Sequence, residues 1–325
     1  HKCYTCLSQK RATHATPTLY NACMSSANCV SCFLLGTHDS AEGINFATMT
    51  SALISKSAGG LGQHLGDIRS ANSLIHSTLG RTTSVVKLLQ IENASMRKWN
   101  QGGRRSGSKA VYMPIHHGDI MDFINAALRT TSAENTAPDL YYALMIPDLF
   151  YEVLDNRGEW YLFSDDSAPG LNIMYDGMEF CSTCGFCNNQ MWLRWWYINV
   201  YGAKIQPRGD PGCIYDPAEY GTSFVETIAA RAATMAAQAA DRSAGNVPIS
   251  QILQIWYAEH PECAPDDHTY VRRDAYTDLY NRYKSEGRSV GHVPAEDILS
   301  AILNVRRLTG MPFVCSKDSI NRMSN

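Results

Sequence analysis

The sequence predicts an α/β protein built on a parallel sheet, and three observations carry that reading. The run Leu140-Tyr141-Tyr142-Ala143-Leu144-Met145-Ile146 is continuously apolar up to Pro147, as expected of a strand buried on both faces. Upstream, Val85, Leu88, Leu89 and Met96 recur at the three- and four-residue steps of a helix. Short strand-like pieces, Phe33-Leu34-Leu35 and Ala110-Val111-Tyr112-Met113, alternate with such helices, the order that yields parallel strands joined by helical crossovers. With 325 residues, 45% of them hydrophobic, the chain is long enough for one large or two medium domains with a buried core.

Taken in order, Asp39 and Ser40 precede Glu42 and an apolar series at Ile44, Ala47, Leu53 and Ile54, and Gly59-Gly60 follows; this predicts a capped helix with a glycine stop. A second helix is expected from Ser84 to about Trp99 and a third from Asp119 to Leu128, on Ile120, Phe123, Ile124 and Ala127. Gln101 to Ser108 has three glycines, two arginines and no apolar period, so it reads as a cationic loop. From Cys181 the composition shifts. Trp192, Trp195 and Trp196 crowd together, and Ser223-x-x-Glu226 supplies a capping box for an alanine-rich helix reaching about Arg242. A last helix runs from Pro294 through Ile298, Ile302 and Val305 to Gly310.

Lys and Arg number 28 against 31 Asp and Glu, a formal charge of -3, which lacks the basic excess that nucleic acid or an anionic membrane requires. No apolar stretch approaches the roughly 20 residues that span a bilayer, since Arg194 breaks the aromatic run from Met191 to Tyr201. A soluble, cytoplasmic protein is expected. The chain opens on His1 without a secretion pattern, which reads as a cut within a longer chain or a processed end. Eleven cysteines in a chain of this size point to a reducing compartment rather than to a small disulfide scaffold.

Four motifs hold candidate chemistry. Gly60-Leu61-Gly62 with Gly66 lacks the strand before and helix after that a dinucleotide fingerprint needs. Its glycines instead admit close approach of a ligand or a neighbouring strand, and Arg69 suits a phosphate. Ser31-Cys32 puts a thiol at one end of a buried strand, as a reactive group or as a packed core residue. Cys181-x-x-Cys184-x-x-Cys187 has two-residue gaps that let thiolates converge on one tetrahedral ion. Structural zinc, an iron–sulfur cluster and unligated thiols are the readings open there, with Cys213, His260, Cys263 and His268 as candidate fourth ligands. Cys3-x-x-Cys6 is a weaker copy.

Ala15-Thr16-Pro17-Thr18-Leu19-Tyr20-Asn21-Ala22 followed by Ser31-Cys32-Phe33-Leu34-Leu35 resembles the large, catalytic subunit of class I ribonucleotide reductase. Ile54 to Gly62, Ile68-Arg69, Gln101-Gly102-Gly103, Asp139 to Leu144, Ile146 to Phe150, Ala168 to Leu171 and Lys317-Asp318-Ser319 continue the likeness in family order. The resemblance implies part of a ten-stranded α/β barrel made of two parallel half-sheets, which reduces the 2′-hydroxyl of a ribonucleoside diphosphate by thiyl-radical chemistry. Residues 1–180 would form its first part with the effector region. Residues 181–278 would be an inserted, mainly helical subdomain rich in Cys, Trp and Ala, and residues 279–325 would resume the barrel.

The resemblance further implies that Cys32 is one of two reducing thiols, and that Thr16, Ser31 and Gly59 hold the substrate. Asp39, Ser40, Lys56 and Arg69 match a specificity site at a homodimer interface that binds a deoxynucleoside triphosphate effector. Gln101, Arg104 and Arg105 match the loop that carries the effector's message to the substrate base. No cofactor would be bound directly for catalysis, because a small subunit supplies the radical; structural zinc would belong to the insertion. Two departures stand out. The sequence stops at Ser324-Asn325, short of the family's Asn-x-Cys-x-Glu segment, so a C-terminal complementary segment would have to supply the radical-bearing cysteine, its carboxylate and the second reducing thiol. Pro114-Ile115-His116-His117 stands in place of Glu-Pro-Trp-His, and the effector loop is one residue short. Cys315 falls where the family has an aromatic residue and receives no role. The alternative reading is a catalytically inactive homologue that serves as a nucleotide-binding or protein-interaction module.

Overall fold

The computed structural model describes residues 2–23, 29–56, 59–75, 78–99, 107–129, 132–181 and 270–323. They fall into two compact units, one of residues 1–168 with 283–320 and one of residues 169–282 with 321–325. The expected alanine-rich helix, the tryptophan cluster and Cys184, Cys187, Cys213, His260, Cys263 and His268 lie outside the described residues.

The first unit opens with helices α1 (Lys2–Ser8) and α2 (Thr16–Asn21), the second carrying Pro in its first turn, where a missing N–H costs nothing. Strand β1 (Cys32–Gly36) leads to helix α3 (Ala41–Lys56) and strand β2 (Gly60–His64). A two-strand ribbon, β3 (Leu74–Ile75) and β4 (Gly80–Arg81), precedes helix α4 (Val85–Lys98). Strand β5 (Lys109–Pro114), helix α5 (Ile120–Asn125), strand β6 (Tyr141–Ile146), helix α6 (Asp148–Asp155) and strand β7 (Glu159–Leu162) follow. In the second unit, β8 (Asp176–Cys181) pairs antiparallel with β9 (Tyr270–Asp274), and Cys181 and Tyr270 are register partners. The Asp176 carboxylate accepts the Thr277 N–H, 2.9 Å away, and so caps helix α7 (Ala275–Ser285) from across the ribbon. The chain then forms β10 (Gly291–Pro294), antiparallel to β7, helix α8 (Ala295–Thr309), β11 (Phe313–Ser316) and helix α9 (Lys317–Met323).

Strands β1, β2, β5, β6 and β11 make one five-stranded sheet in the order β1-β2-β5-β6-β11, with every pairing parallel. This is the α/β parallel architecture expected, in the form of an open, partial barrel. The registers assign each residue to a face. Leu61, Gln63, Lys109, Val111, Met113, Tyr142, Leu144 and Ile146 look to one side, where α3, α4 and α5 cover them and all are buried. Phe123 meets Tyr142 edge-on at 5.0 Å, and the Tyr142 hydroxyl donates to the Ala137 carbonyl at 2.8 Å, so its polar tip is satisfied inside the core.

The opposite face carries Cys32, Leu34, His64, Tyr112, Tyr141, Met145, Phe313 and Cys315. Leu34 is 88% exposed there, and Tyr141 and Phe313 are 46% exposed. Two expectations are thereby corrected. The strand at 140–146 is buried on both faces only in part, since on this side Ala143 is fully buried while Tyr141 is exposed, and the strand after Ser31-Cys32 is not a buried one, because β1 is an edge strand. The helix expected from Asp119 to Leu128 is also shorter. It ends at Asn125, since the Ala126 carbonyl turns aside to accept the Ala137 N–H. Helix α8 meets its expectation: Gly310 follows it in the left-handed conformation, φ 79°, that glycine adopts without penalty.

Candidate functional site

Two clusters of candidate residues form, at opposite ends of α3. At its C-terminal end lie the heads of β1 and β2. Cys32 opens β1 opposite Gly60, it is exposed, and its Sγ is 3.5 Å from the Ser31 hydroxyl. Thr16 is the first residue of α2. Gly59 is buried where any side chain would collide: a Cβ there would lie 2.5 Å from Ile54 and 2.8 Å from Phe33. The packing of Ile54 and Phe33 thus requires a glycine at this position.

Tyr112 stands on the same open face, and its hydroxyl is the residue sequence reasoning missed there. Burial raises the Tyr112 pKa, and the charges of Cys315 and Cys32 raise it further, so both thiols lie within electrostatic reach of one phenol. Burial pushes the Cys315 thiol up as well. The signal was available in the alternation of Ala110-Val111-Tyr112-Met113, which sets Tyr112 opposite the buried Val111 and Met113.

At the N-terminal end of α3, Arg69 Nε donates to the Asp39 carboxylate and Arg69 Nη1 donates to the Leu74 carbonyl at 3.0 Å. Both side chains are about a quarter exposed or less, at 21% for Arg69 and 24% for Asp39. The Ser40 hydroxyl accepts the Gly43 N–H at 2.9 Å and serves as a cap. The remaining guanidinium donors of Arg69 suit a phosphate group. Lys56 is not part of this cluster. It is exposed at the last residue of the 16-residue α3, so about 22 Å of helix separates it from Ala41. Gln101, Arg104 and Arg105 lie outside the described residues, but the residues flanking their loop meet. A Cβ on Gly107 would lie 2.5 Å from the Trp99 carbonyl, and that carbonyl accepts the Ser55 hydroxyl at 2.8 Å.

Arg69 is held by a clamp that sequence reasoning did not foresee. His117 is fully buried; its Nδ1 accepts the Asp119 N–H at 3.0 Å, so Nε2 carries the proton and donates to the Ile68 carbonyl at 2.7 Å. The Asp119 carboxylate accepts the Ala71 and Val85 N–H groups, each at 2.9 Å. Residues 68 and 71 are thus fixed on both sides of Arg69. Burial lowers the His117 pKa below its ordinary value, against the Ile68 hydrogen bond and the charges of Asp119 and Asp39. With both ring nitrogens engaged, His117 serves as a neutral structural bridge and not as an acid or base.

A cleft of about 460 Å³ opens below β5 and β6, lined by Gly107, Tyr141 and Met311 and by Arg97, Arg129 and Asp139. Arg97 and Arg129 both donate to the Asp139 carboxylate; burial works against that group's ionisation, but the two guanidiniums and Asn93 prevail and hold its pKa below the usual value. Cys3 and Cys6 are free on α1, and Cys181 stands on β8. Among the described residues no group of three or more His, Cys, Asp or Glu is placed to hold a metal ion. No helix among them is long and apolar enough to cross a membrane.

Residues 30–192 match the family described as ribonucleotide reductase, barrel domain. The chain is 44% identical over 170 residues to the ribonucleoside-diphosphate reductase large subunit of Dictyostelium discoideum, which covers 52% of this chain and 20% of that protein. It is 42% identical over 170 residues to the protein of the same name from Arabidopsis thaliana, with 52% and 21% covered. Over 179 residues it is 42% identical to the Danio rerio protein of that name, with 54% and 22% covered. The chain thus spans about a fifth of the length of these curated relatives.

Proposed function

Because the chain belongs to the ribonucleotide reductase barrel family, we propose that it forms one wall of a cavity that reduces ribonucleoside diphosphates to deoxyribonucleotides. The observation that carries this reading is the exposed Cys32 thiol at the head of β1, beside Ser31 and opposite Gly60. Cys32 is one of two thiols that are oxidised to a disulfide as the 2′-carbon loses its hydroxyl as water and gains hydrogen. Thr16, Ser31 and Gly59 line the substrate side. A radical-bearing cysteine, its carboxylate and the second reducing thiol come from a complementary C-terminal segment, and a small subunit generates the radical; the uncovered face of the sheet supports such a layer, since parallel sheets are packed on both sides.

Asp39, Ser40 and Arg69 bind a deoxynucleoside triphosphate effector, and Gln101, Arg104 and Arg105 carry its message to the substrate base. The effector site is shared by a homodimer. Phe46, Met49 and Leu53 form an exposed apolar stripe along α3, 61%, 54% and 59% exposed, which suits pairing with a second copy. Antiparallel pairing of two α3 helices brings the partner subunit's Lys56 to Asp39 and Arg69. The protein works in the cytoplasm, where free thiols such as Cys3, Cys6, Cys23, Cys29 and Cys32 persist. Cys181, Cys184 and Cys187 hold a structural zinc ion, and metal analysis giving less than one ion per chain removes that part.

The test is a reductase assay with the complementary segment and a radical-generating small subunit. Turnover is expected only with both and is lost in Cys32→Ser; turnover by the isolated chain sinks the assignment. The replacement of Glu-Pro-Trp-His by Pro114-Ile115-His116-His117 favours a second reading, an inactive homologue that binds nucleotide or protein. Equilibrium binding separates the two: selective affinity for deoxynucleoside triphosphates favours the reductase, and no affinity favours the interaction role.

A further inference from the structure

Beneath the sheet, on the face covered by helices, lies a polar circuit that none of the proposed binding residues accounts for. Lys109 and Glu92 are fully buried and form an ion pair, Lys109 Nζ donating to Glu92 Oε2. Lys109 Nζ also donates to Gln63 Oε1 at 2.7 Å. That bond fixes the Gln63 amide, whose Nε2 donates to the Thr37 hydroxyl at 2.6 Å. On the other side, the Thr48 hydroxyl donates to Glu92 Oε1 at 2.8 Å. Gln63 is fully buried and Thr37 is 1% exposed.

Removing two opposite charges from water costs several kcal/mol per ion, and a buried pair is weak support for stability, because apolar residues of similar volume often serve as well. Its role is better read from what it connects. Thr37 stands two residues before Asp39, at the effector end of α3. Lys109 stands two residues after Gly107, where the chain leaves the effector loop and enters β5. Those two places lie at opposite ends of the strands, and Lys109 and Gln63 together link them. Thr48 ties the same circuit to the middle of α3.

We propose that Lys109 is a positioning residue that couples the Asp39–Arg69 nucleotide end of α3 to the exit of the loop before β5, through Gln63 and Thr37 on one side and Glu92 on the other. The proposal rests on the effector reading above. Within one chain, Asp39 and Gly107 are too far apart for a single nucleotide's phosphates to order both. A continuous hydrogen-bonded network converts a small shift at Thr37 into a shift at Lys109, since Gln63 cannot turn its amide without breaking both bonds.

The experiment is backbone hydrogen exchange of residues 108–111 in the full chain, with and without a saturating deoxynucleoside triphosphate, beside equilibrium binding of the same nucleotide. Wild type should bind and show at least fivefold slower exchange at these amides when occupied. Gln63→Leu with Thr37→Val leaves the ion pair intact and replaces the link by apolar groups; it should bind within about threefold of wild type and lose that protection. Lys109→Met with Glu92→Gln should do the same. A variant that binds and keeps the protection overturns the coupling, and so does a wild type that binds without protecting these amides. A wild type that binds no nucleotide overturns the effector reading itself and the coupling with it.

Discussion

Cys32 and Cys315 share a face of the sheet and both act on Tyr112, yet their surroundings make them different thiols. Three strands lie between β1 and β11, and Cys32 pairs at the head of β2 whereas Cys315 pairs with Met145 near the end of β6, so the two are separated both across and along the strands. A disulfide needs Cα atoms within about 7 Å. Mild oxidation is therefore expected to give no Cys32–Cys315 linked peptide. Burial raises the Cys315 thiol and leaves less of the reactive thiolate, whereas Cys32 is exposed. Brief alkylation at pH 8, followed by peptide mass analysis, should label Cys32 at least about tenfold faster than Cys315; equal rates would mean that the open face is covered. His117 carries a second prediction at this scale. Its pKa is lowered in the folded chain, so as pH falls below about 6.5 the unfolded state takes up the proton first. Its contribution is complete above that pH and is lost toward acid, by up to about 1.4 kcal/mol per pH unit until the folded ring itself titrates. Urea unfolding at pH 7.5, 6.5 and 5.5 should show the stability gap between wild type and His117→Asn narrowing as pH falls. A gap independent of pH would mean that the ring is not held neutral.

Helix α3 shows how an element depends on small residues at its buried face. Ala47, Ser51 and Ser55 point inward, and the two serines have opposite standing. Among the described residues the buried Ser51 hydroxyl has no hydrogen-bond partner, while Ser55 donates to the Trp99 carbonyl. Ser51→Ala should raise stability by about 1 kcal/mol, or about 2 °C in Tm, because it removes a desolvated hydroxyl that makes no bond. Ser55→Ala should lower it by about the same amount. Calorimetry of the two variants checks the contrast, and equal effects would sink it. The bounds of α3 and α8 were legible because start signals, apolar period and glycine stops agree there, and those of α4 followed from its apolar period alone. The buried Lys109 was not, although it lies in period two with Val111 and Met113, because a lysine at a strand's start reads as solvated until its partner is known. Glu92, which makes its burial tolerable, sits 17 residues away on another element. The Arg69 clamp was illegible for the same reason: Asp119 begins a helix in sequence, but its carboxylate goes to Ala71 and Val85.

At the scale of the whole molecule, alternation of strand and helix foretold the parallel sheet, but not that one of its faces stands open. Local pattern reports which residues are apolar, and Leu34, Tyr141 and Phe313 are; it does not report what covers them. The same limit applies to Lys56, which sequence grouped with Asp39 and Arg69 and which one chain holds about 22 Å of helix away. In the homodimer proposed above, a second copy with its α3 running the opposite way restores that group. The apolar stripe Phe46, Met49 and Leu53 is the surface on which such a pairing would close, since a two-fold interface meets itself. Met49→Asp with Leu53→Asp should therefore convert a dimer to a monomer in sedimentation. It should also weaken deoxynucleoside triphosphate binding at least about tenfold, the loss of some 1.4 kcal/mol, without altering the Asp39–Arg69 pair. Arg69→Ala should weaken binding similarly while the dimer persists. If the double variant becomes monomeric and binds as wild type does, Lys56 has no part in the site and each chain holds its nucleotide alone.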